Sequence, residues 1–146
     1  MNNHIKKVTF GILMICIVLL CSCSRSINFN KSAVVPAASG KVRIKEDKND
    51  NYSIHIKISN LAPPERLQPP MEYYVVWMET DGNPVQNLGR LISSSPLFVK
   101  SLKASLKTVT TYRPSRFFIT AEDKTDIQFP RGQQIISTDT YNYQGK

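Results

Sequence analysis

Hydrophobic and polar residues alternate along most of the chain from Val34 onward, and this period of two is typical of half-buried β-strands. In the clearest case, Tyr52–Ser59, aromatic and β-branched residues occupy every second position. Just before it, lysines and an arginine alternate with Val42 and Ile44. The intervening run of Asp, Lys and Asn residues tolerates tight turns. The pattern therefore predicts an antiparallel hairpin over residues 41–59.

The chain beyond this hairpin offers further strands separated by turn signals. The prolines of Leu61–Pro70 cannot donate ladder hydrogen bonds, so we expect this loop to lie outside the sheets and to cross from one to another. Met71–Glu79 is apolar on both faces, which predicts a central strand covered on each side. Leu97–Thr111 fits a helix or a strand, and its β-branched end favours a strand. Other strands are predicted over Val85–Ile92, Phe117–Ala121 and Gln133–Thr138.

Several short strands with turn signals between them predict an all-β fold, namely an antiparallel β-sandwich of immunoglobulin-like type. We place this single domain at residues 33–141, followed by a C-terminal tail at 142–146. A domain of this length can bury its own core. The polar segment Ser24–Lys31 has no periodic pattern, so we expect residues 23–32 to form a short tether.

The first 22 residues differ from the rest of the chain. Lys6 and Lys7 precede an apolar run, Val8–Cys21, of about 14 residues, whereas a bilayer-spanning helix needs about 20. The short length favours a cleaved export segment over a permanent membrane helix. The run leads into Leu20-Cys21-Ser22-Cys23, and this start resembles a bacterial lipoprotein signal.

The resemblance implies that residues 1–22 are a signal peptide, that the Cys23 thiol is acylated, and that the chain is cut just before it. Cys21 is the rival site, but Leu20 is bulky where such signals have a small residue. An uncleaved apolar anchor is the alternative, and both readings place the domain outside the cytoplasm on a membrane. Ser24 in second position, without an acidic cluster after it, implies a periplasm-facing protein of the outer membrane, with cell-surface exposure as the alternative.

Cleavage would also change the thiol content and the charge. It would remove Cys16 and Cys21 and leave Cys23 acylated, so no free thiol would remain for a disulfide or a metal site. Loss of Lys6 and Lys7 would lower the formal net charge from +8 to +6. The basic residues are interleaved with acids and no nucleic-acid-binding motif is present, so we expect no nucleic-acid partner. Anionic headgroups or polysaccharide suit this charge better.

Motifs for chemistry are scarce. His55 lies on the polar face of a predicted strand, and the chain after Cys23 has no second imidazole or thiol to share a metal. Asp47, Asn49 and Asn51 have the spacing that begins an EF-hand loop, but Tyr52 stands where glycine is required, so a hairpin turn explains them better. No Gly-x-Ser-x-Gly motif is present. We therefore expect a non-enzymatic protein without cofactor or metal, and an envelope hydrolase remains an alternative.

Two segments are candidate interaction surfaces. Arg66 and Leu67 lie in the proline-rich loop, which is stiff and would lose little entropy on binding, although a rigid crossover is the simpler interpretation. A second group of basic residues could form a stripe for phosphate or an acidic polymer, with a solvated strand face as the alternative. The stripe consists of Lys100, Lys103, Lys107, Arg113 and Arg116.

Six short spans carry a resemblance to a family: Ala37–Gly40, Lys48–Tyr52, Leu61–Pro64, Tyr74–Trp77, Asn87–Gly89 and Phe117–Glu122. Together they resemble a group of small lipoproteins of Bacteroidota, and this resemblance covers most of the chain after Cys23. The shorter span Tyr74–Leu91 resembles the extracytoplasmic domain of anti-sigma-K factors. The resemblances imply a β-sandwich.

The leading functional hypothesis is a lipid-anchored binding module in the periplasm, with an envelope protein or an anionic envelope polymer as partner. The alternative is a regulatory module coupled to a membrane partner, as the resemblance to anti-sigma-K factors implies. Binding to a polymer predicts that Lys100, Lys103, Arg113 and Arg116 cluster on one face and that association weakens with salt, whereas a regulatory module predicts a stoichiometric, largely salt-insensitive protein partner.

Overall fold

The computed structural model describes residues 24–93 and 102–142. Within these ranges nine strands form two antiparallel sheets that pack face to face, which confirms an all-β, single-domain β-sandwich. In chain order the strands are β1 (Arg25–Asn28), β2 (Ser39–Glu46), β3 (Tyr52–Leu61), β4 (Tyr73–Thr80), β5 (Asn83–Arg90), β6 (Ile92–Ser93), β7 (Leu102–Thr110), β8 (Pro114–Glu122) and β9 (Gln134–Ser137). A short 3-10 turn lies at Pro64–Arg66.

The chain crosses between the sheets several times. The five-stranded sheet has the order β1-β2-β3-β7-β6, and the four-stranded sheet has the order β5-β4-β8-β9. The predicted hairpin over 41–59 is confirmed as β2 and β3, and the loop Leu61–Pro70 crosses to the four-stranded sheet as predicted. The return strand predicted over Val85–Ile92 is two strands in different sheets, because the chain changes sheet at Leu91.

Alternation decides which side chains of the five-stranded sheet enter the core. Val42 lies opposite Ile56, and Ile44 lies opposite Ile54. All four are buried against the other sheet. Burying an aliphatic side chain of this size contributes about 1.5–3 kcal/mol, so this hairpin face supplies a large part of the core stability.

Strand β4 is covered on both faces, as its sequence predicts. Val76 and Met78 are fully buried in the core between the sheets. Val75 and Trp77, on the opposite face, are fully buried in a second cluster with Phe118. The strand runs between β5 and β8, so it is central in its sheet as well.

The loop between β8 and β9 covers this second cluster. Ile127 packs against it from the loop. The Asn87 side-chain amide of β5 donates to the backbone carbonyls of Thr125 at 3.0 Å and Ile127 at 2.8 Å. One amide thus satisfies two carbonyls and holds the loop on the outer face of the four-stranded sheet.

Buried Glu122 holds the far end of the same loop. Its carboxylate accepts hydrogen bonds from the backbone N–H groups of Arg131 at 3.1 Å and Gly132 at 2.9 Å, and from the Thr120 hydroxyl at 2.6 Å. The Thr120 hydroxyl in turn accepts from the Trp77 indole N–H at 2.8 Å. A Cβ atom at Gly132 would overlap the backbone of β8, so the close approach requires glycine.

The expected tether is wrong for most of its length. Arg25–Asn28 forms β1, which pairs with β2 in antiparallel register. Phe29 is buried in the main core just after it, and Ile27 packs there partly. The polar sequence gave no strand signal because an edge strand with an exposed face needs few apolar residues. The first strand of the domain therefore begins directly after Ser24, with no linker between them.

Some predicted features lie outside the described residues. These are the apolar run Val8–Cys21, the acylation site Cys23, and the part of the predicted strand before Leu102. In the described ranges, the structure has no helix that is both long and apolar enough to cross a membrane.

Candidate binding face

Six outward positions of the five-stranded sheet carry cations. Because Val42 and Ile44 point into the core, the alternate residues of β2 point outward. The strand register extends the same alternation over β3 and β7. Among the described strand residues, this outer surface carries no Asp or Glu. Its six cations, which define what we name the basic face, are Lys41, Arg43, Lys45, Lys57, Lys103 and Lys107.

Cations of the basic face lie close to one another on neighbouring strands. Arg43 pairs with His55, which pairs with Lys107, and Lys41 pairs with Lys57. Like charges directly opposite each other, as in the Lys41–Lys57 pair, destabilise a sheet. None of these four cations forms an ion pair with a carboxylate of the described residues. No carboxylate of the described residues therefore neutralises these cations, and an anionic partner could do so.

An open depression of about 480 Å³ lies on this face. Serine hydroxyls, an imidazole, ammonium groups and a guanidinium all donate hydrogen bonds, and the charged donors bind anionic oxygens most strongly. The side chains that bring these groups to the depression are Ser24, Arg43, Lys45, Ser53, His55 and Lys107.

His55 lies in the middle of the basic face and is partly buried. Its burial lowers the pKa of the imidazole below the usual 6.5, and the nearby charges of Lys107, Lys57 and Arg43 lower it further. The imidazole is therefore neutral at pH 7 and can donate one hydrogen bond. An anion bound beside His55 would partly neutralise the charges of Lys107, Lys57 and Arg43.

Apolar side chains accompany the cations on the same face. Val109 is 64% exposed and lies opposite Ser53, while Ile92 is 62% exposed and lies opposite Ser105. Both therefore point outward with the cations. The basic face thus combines positive charge with exposed aliphatic groups.

The structure does not bring the five residues of the predicted stripe together. Lys107 belongs to the basic face opposite His55, and Lys103 belongs to it because its neighbours Leu102 and Ala104 point into the core. Arg116 lies on β8, in the other sheet, and Arg113 lies in the turn that joins β7 to β8. Lys100 lies outside the described residues. Proximity in the sequence did not produce a common surface because the chain changes sheet within the segment.

Arg116 is engaged within the domain. Its guanidinium forms an ion pair with Glu79 at 2.7 Å and lies over the Phe118 ring, 5.3 Å from the centroid. It also donates to Gln134 at 3.3 Å and to the Thr138 carbonyl at 3.4 Å. These contacts give the side chain a structural role on the outer face of the four-stranded sheet.

The proline-rich loop presents only one of its two candidate residues to solvent. Arg66 is exposed. Leu67 is 7% exposed and belongs to the main core. The expectation of an exposed leucine is therefore wrong, because the crossover folds back onto the sandwich and uses this side chain as an anchor.

Sequence reasoning did not group four of the basic-face residues, Lys41, Arg43, Lys45 and Lys57, into a surface. The signal was present in the predicted hairpin. Cations occupy the polar positions of its first strand, and antiparallel pairing places a further one opposite them. Reading charges across the predicted register, and not along the chain, would have found the face.

The residues with EF-hand spacing form the hairpin turn between β2 and β3. The Asp47 carboxylate accepts from the backbone N–H groups of Asn49 at 2.8 Å and Asn51 at 3.0 Å, and from the Asn51 side chain at 3.0 Å. These bonds, with that of the Asn51 side chain the largest, lower the pKa of Asp47. No group of three metal-ligating side chains occurs in residues 24–93 and 102–142.

Two carboxylates on the outer face of the four-stranded sheet lie far from each other. Glu79 pairs with Arg116 at one end of the β4–β8 ladder, and Glu122 lies at the other end. Six residues of strand separate these ends, which is roughly 20 Å. The carboxyl groups of glycosidases lie about 5–10 Å apart, so these two do not form such a pair.

Comparison of the chain with known protein families, curated proteins and solved structures gave no match. The basic face and the sequence around Cys23 are therefore the features that bear on function.

Proposed function

We propose that this protein is a lipid-anchored envelope protein whose sandwich binds an anionic envelope component through the basic face, without chemistry. The observation that supports the proposal most directly is the set of six outward cations with no carboxylate among the described residues of that face. The acyl chains on Cys23 would hold the domain at the periplasmic side of the outer membrane. Two or three such chains anchor a protein durably, so attachment to the membrane does not require the face.

Charge explains how such a face would act. The cations lie close enough on β2, β3 and β7 to raise one another's potential, and an anion relieves that repulsion when it binds. The interaction involves solvent-exposed groups, so salt screens it over a Debye length of about 8 Å at physiological ionic strength. Binding that is moderate, salt-sensitive and broad in specificity is the expected result.

Mass spectrometry of the mature protein tests the anchor. We expect an acylated N-terminal Cys23, and we expect Cys23→Ser to abolish the lipid and release the protein from membranes. Cys21→Ser is the matched control and should leave lipidation unchanged. Acylation that survives Cys23→Ser but is lost with Cys21→Ser would contradict the proposed anchor.

Binding of a soluble acidic polysaccharide, polygalacturonate, tests the face. The probe protein is the chain from residue 23 onward with Cys23→Ser, which we name the unlipidated domain; its two layers share one core, as an independently folding unit requires. The double variant Arg43→Gln/Lys107→Gln should weaken binding about tenfold or more. Lys124→Gln/Arg131→Gln removes the same charge elsewhere and should leave binding within about twofold.

The control variant also identifies the outcome against the proposal. Equal weakening by both double variants would show a response to net charge alone, and the basic face would then have no special role. Capture in cells of one stoichiometric protein, in a complex that salt does not weaken, would favour the regulatory alternative instead.

A further inference from the structure

We infer that the basic face binds the anionic phospholipid headgroups of the membrane that carries the anchor, so that the domain lies with this face against the bilayer. The inference rests on the proposed function and names the ligand of the same surface. Three features of the described residues support it: where the chain enters the domain, how the cations are spread, and which apolar side chains accompany them.

The chain enters the domain at the basic face itself. Ser24 lines the depression together with Lys45 and Ser53. One residue spans at most about 3.6 Å, so a lipid on Cys23 would begin within a few ångströms of that depression. Strand β1 pairs with β2 from Arg25 onward, which leaves no flexible segment between the anchor and the sheet. Anchoring at Cys23 therefore brings the basic face to the headgroups.

The cations are spread over a surface, not gathered around a single point. They occupy three adjacent strands, β2, β3 and β7, which span roughly 10 Å, and Lys41 to Lys45 adds roughly 13 Å along the strand. All of them can come within one Debye length of a plane of phosphates. Each lysine or arginine held near an anionic membrane strengthens binding by about a factor of five.

The exposed aliphatic groups distinguish a membrane from a soluble polyanion. Val109 and Ile92 are more than half exposed among the cations. An acidic polysaccharide offers no apolar phase for them. A membrane interface does, and cations beside apolar side chains are the composition of surfaces that bind there. This combination favours the bilayer over a polymer.

Co-sedimentation with vesicles tests the inference. The unlipidated domain is mixed with vesicles of phosphatidylcholine alone and of equal parts phosphatidylcholine and phosphatidylglycerol. We expect binding only to the anionic vesicles, and weaker binding as salt rises. Arg43→Gln/Lys107→Gln should weaken it about 25-fold, from a factor of about five for each charge, whereas Lys124→Gln/Arg131→Gln should change it less than about twofold.

Fluorescence quenching by brominated lipids tests the orientation. Trp77 is fully buried on the outer face of the four-stranded sheet, away from the basic face, and gives a constant background. We expect the tryptophan introduced by Val109→Trp to be quenched in anionic vesicles. Phe129→Trp is the matched control, because Phe129 is 58% exposed in the loop that covers the four-stranded sheet. Quenching confined to the control, or equal in both variants, would overturn the orientation.

The vesicle and polymer assays separate the two proposals. Binding of the unlipidated domain to polygalacturonate but not to anionic vesicles would overturn the membrane inference and support the proposed function. Binding to neither would overturn both. Vesicle binding that falls equally with both double variants would overturn the role of the basic face.

Discussion

At the scale of single residues, His55 reports on the ligand of the basic face. Partial burial and three surrounding cations lower its pKa. A bound anion would favour the imidazolium form, so we expect ligand binding to raise the pKa of His55 and to tighten as pH falls. Proton NMR of the imidazole, with and without short-chain phosphatidylglycerol, measures this shift. An unchanged pKa with ligand bound would place the anion away from the depression.

The same histidine affects stability in a direction that can be derived. Its folded pKa lies below 6.5, so the unfolded chain takes up the proton first as pH falls. The domain therefore loses stability as pH drops through the unfolded value, and His55→Gln should lose less over that interval. Urea unfolding at pH 7.5 and near pH 5 compares the two proteins. Removing two cations with Arg43→Gln/Lys107→Gln should raise the folded pKa in the free domain.

Glu122 supports the outer layer of the four-stranded sheet. Glu122→Ala would leave the backbone N–H groups of Arg131 and Gly132 and the Thr120 hydroxyl without their acceptor. We therefore expect a loss of about 3 kcal/mol in the free energy of unfolding. Glu122→Gln keeps one acceptor oxygen and should cost about half as much. Urea unfolding followed by Trp77 fluorescence measures both. Equal effects of the two variants would contradict an acceptor role.

At the scale of elements, the crossover between the sheets depends on Leu67. Leu67→Ala should lower the free energy of unfolding by about 2–5 kcal/mol, because it leaves a cavity in the main core. Its neighbour Arg66 is exposed, and Arg66→Ala should stay within about 0.5 kcal/mol. Denaturant unfolding of the pair distinguishes a core anchor from a binding loop. A small effect of Leu67→Ala would return this loop to the candidate interaction surfaces.

Strand prediction from the sequence succeeded where one face is buried and failed where neither face carried a signal. The alternation in β2 and β3 and the doubly apolar β4 were readable because burial selects residues at every second position. Strand β1 was not readable, since only Ile27 among its four residues packs on the core. Its pairing with β2 is set by backbone hydrogen bonds, which side-chain patterns do not encode.

The candidate site was harder to predict because it forms across strands. Lys41 and Lys57 lie 16 positions apart in the chain but directly opposite in the sheet. Lys107 and Arg116 lie only nine positions apart but in different sheets. Grouping by sequence distance therefore placed Lys107 with Arg116 and missed the cations of β2 and β3. The predicted hairpin register already places Lys57 opposite the cations of β2. Periodicity does not show that the chain changes sheet after β7.

At the scale of the whole molecule, the proposed anchor and the basic face would together constrain the orientation of the domain. The acyl chains would fix the distance of the domain from the membrane, and the cations would fix which side faces it. Because β1 begins immediately after Ser24, neither constraint is loosened by a tether. The orientation should therefore persist when salt screens the charges, since the anchor would keep the cations within reach of the headgroups.

A ten-residue Gly/Ser insertion between Ser24 and Arg25 separates these constraints. Such a linker spans roughly 17 Å, which exceeds the Debye length of about 8 Å and lets the face leave the headgroups. In the lipidated protein on anionic membranes, we expect Lys41 and Lys107 to resist amine acylation even at high salt, and to become reactive in the insertion variant. Lys124, in the loop over the opposite sheet, should react equally in both and serves as the internal control. If Lys41 and Lys107 stay protected in the insertion variant at high salt, the face binds tightly without help from the anchor. The short connection before β1 would then have no part in orienting the domain.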